Sequence, residues 1–263
     1  MNKPTMDHKR YPWKVFAVLL SAGVFGVLAI LPYLLAFIKK LPIEPPPSLP
    51  VLLLMQFLQG TILVGVAVGV GLLVAGKVGL GAPLLEDWLA GEKIAQRLKP
   101  LLQTSITAGV GVGVILLLLA VFVFIPLVPP LRIILAPDVA IWKKFLAAFY
   151  GGITEELLMR LFLFSLLTWL LSKVWPAEGT AARAGVLWSV NVIVAILFGL
   201  GHLPVASLLI PITPSVIVAA LVLNGLAGIT FGYLYWKHGL EAAIVAHFST
   251  DIVLHVIRSA LFR

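Results

Sequence analysis

Three short stretches, Glu155-Glu156-Leu157-Leu158-Met159-Arg160, Phe198-Gly199-Leu200-Gly201-His202 and His247-Phe248-Ser249-Thr250-Asp251, place ionisable side chains inside otherwise uncharged apolar runs. Charge at membrane depth is costly, so each stretch is a candidate for function. Carboxylates and imidazoles can take a proton from water, ligate a metal or stabilise an oxyanion. The chain has no cysteine, which excludes disulfides, thiolate metal sites and a cysteine nucleophile. Hydrolytic chemistry would therefore fall to carboxylates, imidazoles or hydroxyls.

Helical geometry separates the roles of the two glutamates. Successive side chains on a helix lie about 100° apart, whereas residues four apart share a face. Glu156 and Arg160 are thus expected to form an ion pair that fixes the rotation of their helix, a structural task. Glu155 is left to face a polar cavity. There a low dielectric disfavours the charged form of a carboxylate, which suits it to accept a proton from water as a general base. His202 ends its apolar run just before Pro204, and His247 with Asp251 is another pair four residues apart. These groups meet Glu155 only if the fourth, fifth and seventh spans pack together; one base and two imidazoles would then suit amide hydrolysis. The plain alternative for His202 is a bond to a neighbouring carbonyl. His255 continues the face of residues 247 and 251 but reads as interfacial, His238 as a loop residue and His8 as part of a basic tail. Asn191 and Asn224 read as bonds between helices.

The elements that must position these residues are membrane helices. Of 263 residues, 61% are hydrophobic and 11% charged, the composition of a polytopic membrane protein. The net charge of +8 is spread over short loops and not gathered in a stripe, so it indicates topology and lipid-headgroup contact and no nucleic acid. Apolar runs predict spans near 15–38, 51–75, 105–127, 145–172, 184–201, 214–236 and 239–261. The fold expected is all-α, a polytopic transmembrane bundle of seven to eight spans around a polar catalytic cavity. It forms a single integral membrane domain over 1–263, with residues 145–255 as the catalytic core, in a multi-pass protein of the cell membrane. A proline-rich linker separates the first two spans, and a short amphipathic helix is expected within 77–100. The Gly-x-x-x-Gly pairs Gly65/Gly69, Gly109/Gly113 and Gly228/Gly232 are read as packing.

Glu155, Glu156 and Arg160, then Phe198 and His202, then His247 and Asp251 follow the order Glu-Glu-x-x-x-Arg, Phe-x-x-x-His, His-x-x-x-Asn or Asp. In this the chain resembles the CAAX protease and bacteriocin-processing (CPBP) family of intramembrane endopeptidases, which includes the Ras-converting CAAX endopeptidases. The resemblance covers roughly residues 145–255. It implies that Glu155 and His202 activate water, that His247 and Asp251 serve the oxyanion, that Glu156 and Arg160 are the structural pair at the site, and that Phe198 lines the cavity. It implies a prenylated or membrane-embedded peptide as substrate among membrane lipids. It leaves open a metal-independent glutamate protease or a zinc enzyme with Glu155, His202 and His247 as ligands. A non-catalytic peptide-binding or immunity protein and a proton-coupled transporter are the competing readings.

Overall fold

The computed structural model describes residues 12–39, 48–135, 139–175 and 179–261. The proline-rich linker and His8 lie outside them. The chain runs α1 (Trp13–Ile38), α2 (Leu49–Val78), a short α3 (Pro83–Leu89), α4 (Ala95–Leu127), α5 (Ile141–Val174), α6 (Thr180–Ala206), α7 (Pro214–His238) and α8 (Leu240–Ala260). All but α3 are long and apolar enough to cross a membrane, giving seven spans among the described residues. Side chains such as Ile62, Phe122 and Ile115 face outward, as expected of a bundle solvated by lipid.

The third span starts at Ala95, ten residues before the uncharged run does. Arg97 and Lys99 sit on its polar end, and Arg97 pairs with Asp87 of α3, so the helix outlasts its apolar core. The amphipathic segment is accordingly shorter than 77–100. Only Pro83–Leu89 forms a separate helix, with Leu84 buried and Trp88 exposed. The Leu203–Ser207 turn continues α6 past a break at His202 and packs, through Leu203, against a small cluster of Phe124, Leu131 and Val216.

Close helix contacts set the geometry of the site. α6 packs along α7, α4 along α8 and α2 along α5. At Gly109 a Cβ would collide with the backbone of Ala246, and in the space left Thr250 Oγ1 donates to Gly109 O at 2.9 Å. Gly228 meets Ala195, and Asn191 Nδ2 donates across the α6–α7 contact to Ile229 O at 3.0 Å. Gly65, by contrast, makes only ordinary contact with Leu20. Asn224 bonds Ala220 O within its own helix and does not bridge two.

Two of the helices that carry the motif residues are not regular. α5 widens to i→i+5 hydrogen bonding over Tyr150–Glu155 and again over Leu157–Phe164, and α8 does so over Ile252–Ile257. Such wide turns are rare and concentrate at functional sites.

Candidate active site

The centre of the site is a charge cluster with no access to solvent. Glu156 and Arg160 are both fully buried, and Arg160 Nη1 donates to Glu156 Oε1 at 2.9 Å. Arg160 Nη2 donates to Gly228 O of α7 at 3.0 Å. The guanidinium lies 5.2 Å from the Phe198 ring and 5.4 Å from that of Phe231, so its faces meet π-clouds. Glu156 Oε1 accepts a second bond, from His247 Nδ1 at 2.7 Å. One carboxylate oxygen thus joins α5 to α8.

His247 is held on three sides. Beyond the bond to Glu156, its ring stacks on Phe231 at 4.5 Å and 20°, and the edge of Phe198 approaches at 5.8 Å. Because a carboxylate only accepts, Nδ1 carries a proton and Nε2 is the nitrogen turned to Glu155 and Asp251. Nε2 stands 3.8 Å from Glu155 Oε2 and 3.8 Å from Asp251 Oδ1. Those distances are too long for hydrogen bonds. Asp251 Oδ1 is also 3.9 Å from His255 Nε2, which puts this carboxylate between two imidazoles.

The three motifs therefore lie on α5, α6 and α8 around one imidazole. Residues 137–253, which include every motif residue, match the family model described as Type II CAAX prenyl endopeptidase Rce1-like. This segment is Rce1-like. The family so described is one of CAAX-type proteases, and the seven spans make the chain a multi-pass integral membrane protein. No curated protein and no solved structure matches the chain.

Within the Rce1-like segment, His202 stands apart from the other ionisable groups. Its Nδ1 donates to Phe198 O at 2.8 Å, so the plain expectation of a bond to a nearby carbonyl holds for this nitrogen. Nε2 is left as the nitrogen available for chemistry. Neither a hydrogen bond nor an ion pair joins His202 to Glu155, His247 or Asp251 among the described residues. Phe198 is buried and packs against both histidines, with its ring 4.9 Å from that of His202.

Spacing rules single out neither Gly151 nor the bond from His247 to Glu156. Gly151 lies in the first wide turn of α5. A Cβ there would run into Asp251 Oδ2 and come within 3.2 Å of His247 Nε2. The missing side chain is what admits both groups beside Glu155. Gly151→Ala is expected to leave folding intact and to lower kcat by about 10²-fold, since displacement by an ångström is enough for such a loss. Measuring kcat together with thermal unfolding separates the two effects, and unchanged kcat would remove Gly151 from the site.

An apolar groove of about 440 Å³, lined by residues such as Val110, Phe149, Ile153, Phe248 and Ile252, runs between α4, α5 and α8. None of the ionisable motif residues borders it, so it is not the polar cavity expected of the site. Among the described residues, no three His, Asp or Glu side chains gather closely enough to hold a metal ion.

Proposed function

We propose that the protein is an endopeptidase that cuts near the C-terminus of a lipid-modified, CAAX-type or membrane-embedded peptide, with Glu155 as general base. The observation that carries this reading is the triangle at His247, whose Nδ1 is fixed on Glu156 while Nε2 stands 3.8 Å from Glu155 and from Asp251. A water resting among these three groups would lie within hydrogen-bond reach of each.

Glu155 takes a proton from that water as the water oxygen bonds to the scissile carbonyl carbon and the carbonyl electron pair moves onto oxygen. With its second nitrogen protonated, His247 donates Nε2–H to the oxyanion. Asp251 orients His247 and balances its charge without touching the oxyanion, which a carboxylate would repel. When the tetrahedral centre collapses, the C–N bond breaks and the proton held by Glu155 passes to the leaving nitrogen. His202, through Nε2, is the second group assigned to water activation. Glu156 and Arg160 position His247 and the helix that carries Glu155.

The test is cleavage of a farnesylated CAAX reporter peptide by the purified protein in detergent, with and without a zinc chelator. Release of the C-terminal fragment is expected. It should survive chelation, because in this route Glu155 alone takes the proton from the water. Loss of cleavage on chelation with recovery on added zinc would overturn the metal-independent route, and a folded protein that cleaves nothing would overturn the endopeptidase itself.

A further inference from the structure

The C-terminal ends of α2 and α5 meet at a set of cations that no hydrolytic step uses. Lys77 and Lys173 each stand one residue before the end of their helix. Lys77 Nζ lies 5.2 Å and Lys173 Nζ 5.9 Å from the centroid of one ring, that of Trp169. Arg183, near the start of α6, donates from Nη2 to Val78 O at 2.9 Å and so leans over the same end of α2. All three cations are exposed, and among the described residues none has a carboxylate within ion-pair reach. Of the acids at this end of the bundle, Asp87 pairs with Arg97, while Glu86 and Glu241 accept from Ala82 N and Leu85 N. An indole face offers a cation partial negative charge and no full counter-ion, so two ammonium groups on one ring remain a net positive site.

We propose that Lys77, Lys173 and Trp169 bind the headgroup of an anionic phospholipid, with the phosphate held by the two ammonium groups and Arg183 at the rim. Charge-assisted bonds to phosphate oxygens supply the counter-charge that the chain itself does not. The surface toward the bilayer suits the rest of the lipid. Leu73, four residues before Lys77, and Leu170, three before Lys173, share the faces of those lysines and are 51% and 45% exposed, which gives acyl chains an apolar path. A free phosphate would use the cations alone, whereas a phospholipid uses the leucines as well. The depth agrees. At the same end Trp188 meets Trp236 edge to face and Lys237 Nζ lies 4.5 Å over Trp236, an aromatic and basic girdle of the membrane boundary. Because α2 packs along α5, a headgroup shared by Lys77 and Lys173 ties the two helices together, and α5 carries Glu155 and Glu156. The site is independent of the endopeptidase reading.

The test uses the whole protein in neutral detergent, mixed with equal amounts of phosphatidylglycerol and phosphatidylcholine, and counts retained lipids by native mass spectrometry. Phosphatidylcholine brings a cation of its own, so phosphatidylglycerol should be retained about tenfold or more in preference. It should also raise the midpoint of thermal unfolding by about 2 °C or more, which inorganic phosphate at the same concentration should not do. The double variant Lys77→Gln, Lys173→Gln should lose both the preference and the shift, and Lys77→Arg, Lys173→Arg should keep them. Lys93→Gln, Lys99→Gln removes equal charge from the same end of the bundle and should change neither. Equal retention of the two lipids by the wild type would overturn the site. So would a preference lost equally in the Lys93 and Lys99 variant, which would assign it to the general field of this surface. Protection by inorganic phosphate equal to that by phosphatidylglycerol would leave a free-anion site in place of a lipid one.

Discussion

Replacing Glu155 by Gln should lower kcat on the farnesylated reporter by about 10²–10⁴-fold, the range for loss of a positioned general base. The amide keeps the size of the side chain. It gives up only a 3.8 Å approach to His247 Nε2, from a position that is one-quarter exposed, so thermal unfolding should not change. KM should also stay near the wild-type value, because Glu155 acts on water in the reaction and does not anchor the peptide. The variant separates catalysis from capture. A protein that only sequesters peptides would bind the reporter equally well with or without this carboxylate and turn over neither. Cleavage by Glu155→Gln at the wild-type rate would remove the base assignment.

Arg160→Met is expected to have the largest effect on stability. It leaves the fully buried Glu156 without its guanidinium and with only the His247 imidazole beside it, and breaking a buried pair from one side costs about 3–5 kcal/mol. The bond to Gly228 O and the contacts with Phe198 and Phe231 are lost with it. Activity should fall too, since an unbalanced Glu156 no longer fixes His247. Adding Glu156→Gln should restore part of the stability by removing the stranded charge, and none of the activity, because a neutral amide is a weaker anchor for the imidazole. Unfolding of the single and double variants in detergent reads both. A single variant as stable as wild type would mean that the pair is not what holds α5 in place.

The membrane spans were legible because uncharged runs of about twenty residues have few alternatives to a helix that crosses the bilayer. Their ends were less so. α4 reaches back to Ala95 through Arg97 and Lys99, residues that the sequence reading assigns to an amphipathic segment ahead of the span but that a helix end can carry into the interface. The wide turns of α5 and α8 leave no mark in composition. Their effect is felt at Gly151, whose role depends on a contact with α8 a hundred residues away.

The site was legible in its parts more than in its wiring. The four-residue spacing of Glu156 and Arg160 is a local property, and the sequence displays it. That the same carboxylate oxygen also receives His247 Nδ1 is a property of how α5 meets α8, decided in part by Gly109 against Ala246 and Gly152 against Phe248. Likewise, the sequence allows His202 and His247 equivalent roles, yet their partners differ. One imidazole is fixed on a backbone carbonyl of its own helix, the other on a buried carboxylate of another.

The ion pair has a consequence for how the protein is made. Glu156 and Arg160 neutralise each other along a single helix, so α5 brings its own counter-charge when it enters the bilayer during synthesis. Gly228 and His247 are translated later, on α7 and α8. Glu156 and Arg160 are thus made before both of the groups that bond them. The helix that carries His247 follows α7, so the bond that ties α5 to α8 can close only once α8 is in place.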